Sequence, residues 1–110
     1  MASSNVKTVR VTVQAGAIQC TPDPVPVSGA QVLLVFRLDT PGYAFPETDA
    51  VVVGPSVDEF PYAAWQQNVS TAALFDRNRN AGDHAYTLTV VDSQSGQTLK
   101  HDPTIRNEGR

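Results

Sequence analysis

The residues with the widest chemical range in this chain are one cysteine, two histidines and one methionine, the types that hold copper in blue-copper sites. Such a site takes its cysteine, second histidine and methionine from a single C-terminal loop. Here Cys20 lies near the start, Met1 is the only methionine, and His84 and His101 lie in separate segments. This spacing argues against a copper or zinc centre, and we expect no cofactor.

The polar segment 76–83 suggests a different metal chemistry. Its oxygen-bearing side chains alternate along the chain, as a hard cation such as calcium requires, and the candidate ligands are Asp76, Asn78, Asn80 and Asp83. A helix–loop–helix calcium site also needs glycine at its sixth position and glutamate at its twelfth, but Ala81 and Thr87 stand there. Two interpretations stay open: a non-standard cation site, or a long hairpin loop whose side chains bond its own backbone.

The sequence lacks the patterns of the common catalytic sites. It has no Gly-x-Ser-x-Gly turn and no phosphate-binding glycine loop. Asp83 and His84 are adjacent, so on a strand their side chains point to opposite faces. The acidic pair Asp58 and Glu59 lies in a turn-rich segment, where a solvated surface is expected. We therefore expect a protein that is not an enzyme.

Aromatic residues cluster beside prolines in the middle of the chain, and they are Tyr43, Phe45, Phe60, Tyr62 and Trp65. Rings in this position either cap the open end of a hydrophobic core or form an exposed surface that holds a sugar, a peptide or another copy of the chain. For the second interpretation, the candidate ligand-binding residues are Tyr62 and Trp65.

Short strands must position all of these residues. Val9, Val11 and Val13 alternate with Arg10 and Thr12, which is the period of a strand with one buried face. Similar arguments predict strands at 6–13, 17–21, 32–38, 50–53, 69–75, 84–91 and 97–100, a helical turn at 61–67, and an edge or loop at the prolines of 22–26. Seven to eight strands in one domain, covering residues 1–110, predict an all-β antiparallel sandwich.

The segment Gly82–Val90 resembles the penultimate strand of immunoglobulin-like domains, in which an aspartate, a small residue and a tyrosine open the strand. The matching residues are Asp83, Ala85 and Tyr86. The resemblance implies an immunoglobulin-like sandwich in which the Tyr86 hydroxyl bonds to main chain upstream. It also implies that no disulfide joins the sheets, because Leu88 stands at the position of the family's cysteine.

The C-terminal segment 100–108 resembles the Asp-Pro-x-Ile-x-Asn-Glu ending of a group of small bacterial proteins, the DP-EP family. The matching residues are Asp102, Pro103, Ile105, Asn107 and Glu108. Gly109 stands where the family's name suggests a proline. The resemblance implies a bacterial β-sandwich of undefined biochemical role. The polar residues here that are further candidates for ligand binding are His101, Asp102 and Asn107.

Composition and charge limit the possible partners. The net charge is −3 at pH 7 and the eight lysines and arginines are scattered, so no basic stripe for nucleic acid is present. The lack of a long apolar stretch, of an export signal and of a cysteine pair predicts a cytoplasmic protein without a membrane partner. We expect a binding or interaction module for a protein or small ligand. The alternatives are a subunit that self-associates through an edge strand near the prolines, and the cation site.

Overall fold

The computed structural model of the chain describes residues 5–54 and 58–109. Within these ranges, no segment forms a helix with the length and apolar character needed to cross a membrane. The described residues form eleven strands: β1 (Val6–Gln14), β2 (Ala17–Thr21), β3 (Val25–Val27), β4 (Val32–Leu38), β5 (Tyr43–Ala44), β6 (Val51–Val53), β7 (Trp65–Asn68), β8 (Thr71–Asp76), β9 (Gly82–Asp92), β10 (Thr98–His101) and β11 (Thr104–Asn107).

Two sheets pack face to face as a sandwich, with the hydrophobic core between them. The five-stranded sheet has the order β2-β1-β4-β8-β7. In the six-stranded sheet, β9 pairs with β5, β6, β10 and β11, and β11 also pairs with β3. The pairings of β1 with β4 and of β3 with β11 are parallel, and the others are antiparallel. The predicted all-β sandwich is confirmed, but the prediction of wholly antiparallel sheets is wrong.

The structure contains more strands than the seven to eight predicted. Strands β3, β5, β7 and β11 have only two to four residues each. A segment of this length is too short to show alternation in the sequence. Each one is extended because a neighbouring strand supplies its hydrogen bonds, and the sequence does not reveal that neighbour.

Burial confirms the alternation predicted for the long strands. Val9 and Val11 of β1 and Leu88 and Val90 of β9 are fully buried. The apolar run of β4 lies in the middle of its sheet, as predicted, and its residues alternate between the core and the outer face. Each buried side chain of this size contributes about 1.5–3 kcal/mol of transfer free energy, so a slip of one residue in register is strongly disfavoured.

The segment 61–67, predicted as a helical turn, is not helical, and its first four residues are irregular. Its second half forms β7, in which Trp65 lies opposite Ala73 and Gln66 lies opposite Ala72 of β8. So short a segment gains little from helix formation because the first turn is costly to nucleate. Pairing with the edge of the sheet therefore determines its conformation.

The polar segment 76–83 is not a hairpin loop, contrary to the prediction. Strand β8 ends in the five-stranded sheet, whereas β9 begins in the six-stranded sheet. The connection crosses from one sheet to the other because β8 already has β4 and β7 as neighbours, which leaves it no free edge for β9. The loop thus joins the two layers at one end of the sandwich.

Strands β10 and β11 form one interrupted partner for β9, with the same register in both. Between them, the Pro103 carbonyl accepts a hydrogen bond of 3.0 Å from Tyr86 N. The Asp102 carboxylate accepts one of 2.8 Å from the Thr87 hydroxyl. The Asp-Pro pair is therefore part of the final hairpin, at the point where proline supplies no N–H to the ladder.

Tyr86 fills the core rather than anchoring a corner between the sheets. Its side chain is 2% exposed, and its ring lies 5.4 Å from the ring of Phe36. No main-chain group of the described residues forms a hydrogen bond with the buried hydroxyl, so the contact implied by the immunoglobulin resemblance is not formed. Burial, reinforced by the nearby Cys20, raises the pKa of Tyr86. Burial also raises the pKa of the Cys20 thiol to about 11, which disfavours the reactive thiolate.

Candidate ligand-binding groove

The connection between β8 and β9 has an inner and an outer side. Asp76 and Asn78 are fully buried, whereas Arg77 is half-buried and Arg79 is exposed. This order continues the alternation of β8, in which successive side chains point to opposite faces. The loop therefore directs a carboxylate and an amide inward and its guanidinium groups outward.

Asn78 fastens the loop to two other segments of the chain. Its amide nitrogen donates to Gly29 O at 2.7 Å and to Gly109 O at 3.2 Å, and its Oδ1 accepts from Gly109 N at 2.9 Å. Gly109 has a φ of 82°, which proline cannot adopt, and proline would also lack this N–H. The structure therefore explains why glycine stands here.

Glu59 and Asn107 complete this buried polar network. The Glu59 carboxylate accepts hydrogen bonds from the N–H groups of Arg79 at 3.1 Å and Asn80 at 2.9 Å. The Asn107 amide donates to Asp76 Oδ1 at 3.0 Å and to Glu59 Oε2 at 3.4 Å. These contacts fix the backbone from which the outward arginines project.

The two carboxylates of the network differ in their electrostatics. Burial alone would raise the pKa of Glu59, but hydrogen bonds from two backbone N–H groups and from Asn107 outweigh it, so the pKa is lowered. For Asp76 burial outweighs the hydrogen bonds, and the pKa is raised. No described residue provides a hydrogen-bond partner for Asp76 Oδ2 or Asn107 Oδ1. Glu59 is thus well accommodated as an anion, while ionised Asp76 is not.

The structure does not bring the four candidate cation ligands together. Asp76 and Asn78 point into the network, but Asn80 is exposed. Asp83 accepts two hydrogen bonds from Arg106, of 3.0 and 3.3 Å, and this guanidinium lowers the pKa of Asp83. Within the described ranges, no three acidic, histidine or cysteine side chains are arranged to hold a metal ion.

The C-terminal candidates His101, Asp102 and Asn107 do not share a cleft. His101 Nε2 lies 3.8 Å from Asp23 Oδ2, and Asp102 bonds Thr87 at the surface. Asn107 is buried six positions beyond His101, roughly 20 Å along an extended chain at about 3.3 Å per residue. These residues therefore support the last hairpin and the buried network, and they do not form one binding site.

An open groove of about 680 Å³ lies where the outward arginines project. We call it the Trp65 groove, and its lining residues are Gln31, Tyr62, Trp65, Phe75, Arg77 and Arg79. Tyr62 is 63% exposed and Trp65 is 45% exposed, while Phe45 and Phe60 are buried in the core. The aromatic cluster of the sequence is thus divided between the core and this surface.

The sheet places the lining side chains next to one another. Gln31 N donates to Arg77 O at 3.1 Å, so these residues lie side by side where β4 begins and β8 has just ended. Phe75 shares the outward face of β8 with Arg77, and its ring lies 6.0 Å from that of Tyr62. Trp65 begins β7, the strand paired with β8.

The Trp65 groove is a basic site on an acidic protein. Two other arginines of the chain form salt bridges with aspartates. In the part of the chain that the structure describes, no ion pair includes Arg77 or Arg79, and no acidic residue lines the groove. Both guanidinium groups are therefore available to an anionic ligand.

Sequence reasoning identified Tyr62 and Trp65 but missed the other lining residues. The alternation of side chains along a strand could have revealed three of them, because Phe75, Arg77 and Arg79 are spaced two residues apart, as on one face of a strand. Nothing local could have revealed Gln31, which reaches the groove only through the pairing of β4 with β8.

No protein-family model matches this chain, and a search of curated proteins finds no similar sequence. The immunoglobulin-like and DP-EP resemblances therefore rest on the residues quoted above. The function has to be argued from the geometry of the groove.

Proposed function

We propose that this chain is a non-catalytic binding module whose ligand occupies the Trp65 groove. The observation that carries the proposal is the meeting, at one open surface, of two exposed aromatic rings and two guanidinium groups that form no ion pair with a described residue. Burial of exposed rings favours association. Tryptophan, tyrosine and arginine also contribute most of the binding energy at many protein interfaces.

The buried network supports this proposal because it orders the loop before a ligand arrives. Glu59 holds the N–H groups of Arg79 and Asn80, and Asn78 is tied to Gly29 and Gly109. A loop that is already fixed loses less conformational entropy on binding. More of the contact energy therefore remains as affinity.

Fluorescence provides a direct test because Trp65 is the only tryptophan. Titration with peptides and glycans is expected to give a saturable change for at least one of these two classes, whereas divalent cations should give none because the groove is cationic. Tyr62→Ala should weaken that binding by about tenfold, equivalent to roughly 1.4 kcal/mol. The control is Val69→Ala, which changes a residue that is 62% exposed but does not line the groove. A flat response to both peptides and glycans would contradict the proposal.

Self-association through an edge strand near the prolines is the alternative function. That edge is β3, which has three residues and contains Pro26. Both its length and its proline reduce its value as a template for another strand, so this alternative has weaker support. Light scattering over a range of concentrations separates the two, since a persistent monomer contradicts self-association.

We also propose that the sandwich is immunoglobulin-like and that the chain belongs to the DP-EP group. Support comes from the buried Tyr86 in the long strand β9 and from the Asp102-Pro103 pair in the final hairpin. The parallel pairings and the missing main-chain contact of Tyr86 weigh against the first part. A crystal structure whose strand order differs from that of immunoglobulin domains would contradict it.

A further inference from the structure

We infer that the ligand of the Trp65 groove is an acidic peptide segment of a partner protein, in which carboxylates lie beside an apolar side chain. This inference rests on the proposed binding function and specifies its ligand. Among the described residues, the groove offers three aromatic rings, two guanidinium groups and one amide, and no carboxylate. A complementary ligand must therefore supply negative charge and apolar surface together.

The two arginines determine the sign of the ligand's charge. Arg77 and Arg79 have no ion-pair partner among the described residues, on a chain whose net charge is −3. A guanidinium group binds a carboxylate through two parallel N–H···O contacts, which fixes orientation as well as charge. Because Glu59 holds the backbone N–H of Arg79, part of the ordering cost is already met in the free protein.

The aromatic rings determine the second feature of the ligand. The rings of Tyr62 and Phe75 lie 6.0 Å apart at an angle of 42°, and Trp65 lines the same groove. Their exposed surfaces are suited to an apolar or aromatic side chain that leaves water on binding. A peptide with a carboxylate next to such a side chain satisfies both parts of the groove in a single short segment.

The lining also favours a peptide over other anions. A glycan carries many hydroxyl groups, and a site for it needs a matching set of polar groups that orient it. Among the described residues, the uncharged polar groups of the lining side chains are the Gln31 amide, the Tyr62 hydroxyl and the Trp65 indole N–H. A nucleic acid is held by many phosphate contacts, and the groove has two cationic side chains. An acidic glycan, which would also supply carboxylates to the two arginines, is the alternative ligand that the experiment below must distinguish from a peptide.

The test is selection of a random-peptide phage library on the immobilised full chain. We expect enrichment of peptides that combine aspartate or glutamate with leucine or an aromatic residue. Titration of an enriched synthetic peptide, followed by Trp65 fluorescence, should show that Arg77→Gln and Arg79→Gln each weaken binding by about 10- to 100-fold. The affinity should also fall as salt is added. The matched control is Arg37→Gln, since Arg37 is exposed on β4 and does not line the groove.

Enrichment without acidic residues, or equal binding by the two arginine variants and the wild type, would overturn the acidic-peptide inference and leave the proposed binding function standing. The same holds if a uronic-acid oligosaccharide binds through the arginines and no peptide is enriched. If peptides and glycans both leave Trp65 fluorescence unchanged, both proposals fail. Urea unfolding of each variant verifies that a loss of binding is not a loss of folding.

Discussion

The inner and outer sides of the segment 76–80 are both polar, yet they differ in how their polar groups are satisfied. On the inner side, Asp76 and Asn78 are fully buried and are bound to other parts of the chain. On the outer side, the side chains of Arg77 and Arg79 have no ion-pair partner among the described residues.

This difference separates residues that serve the fold from residues that are free to serve binding. A buried polar group needs a partner inside the protein, since its loss of water is costly. An exposed charge contributes little to stability. We therefore expect inner substitutions to change the free energy of unfolding and outer substitutions to change only binding.

The largest effect is expected for Asn78→Ala, with a loss of about 3 kcal/mol in the free energy of unfolding. Three side-chain hydrogen bonds disappear, and the φ of 50° at this position is less favourable for alanine than for asparagine. Urea unfolding measures the loss. Asn80→Ala is the control, because this exposed side chain forms no described hydrogen bond, and it should change stability by less than about 0.5 kcal/mol. Equal losses would break the distinction between the two sides.

Glu59→Gln should destabilise the protein by about 2 kcal/mol at neutral pH, because one acceptor oxygen that faces N–H groups becomes a donor. Because folding lowers the pKa of Glu59, its ionised carboxylate stabilises the fold at pH values above the unfolded pKa of about 4.3. This contribution is lost as the pH falls through the folded pKa. Urea unfolding at several pH values should show the wild type and variant converging at acidic pH. A difference that does not depend on pH would contradict the assignment.

Asp76→Asn should have a smaller effect of opposite sign, a gain of about 1 kcal/mol or less at neutral pH. The raised pKa of Asp76 means that ionisation opposes folding above the folded pKa, and this cost is absent below the unfolded value, near pH 3.9. The stability of the variant relative to the wild type should therefore increase as the pH rises from about 3.9, the unfolded pKa of aspartate, to neutral pH. A large loss of stability at neutral pH that disappears at acidic pH would contradict this and show that the ionised carboxylate is needed.

The smallest effect on stability is expected for the double change Arg77→Gln and Arg79→Gln, within about 0.5 kcal/mol of the wild type. Neither guanidinium group belongs to a described ion pair, so neither substitution removes one from the folded protein. Urea unfolding measures this directly. A loss above about 1 kcal/mol would show that the outer side also supports the fold.

Much of the architecture could be predicted from local pattern. The alternating valines of β1 and the apolar run of β4 identify strands and their buried faces, because side-chain direction has a period of two in any strand. The candidate site was only partly predictable. Tyr62 and Trp65 were identified, but the segment that contains them was predicted as helix, and the loop 76–83 was interpreted without its crossing between sheets.

By itself, the sequence determined which residues face the core in the long strands and where the chain is polar, since both follow from composition and spacing. Only the tertiary structure decided which polar groups meet. The bonds of Asn107 to Asp76 and to Glu59 join residues 31 and 48 positions apart. Local pattern carries no information about such pairs, and they decide that the carboxylates of the network are structural while the neighbouring Arg77 and Arg79 face outward.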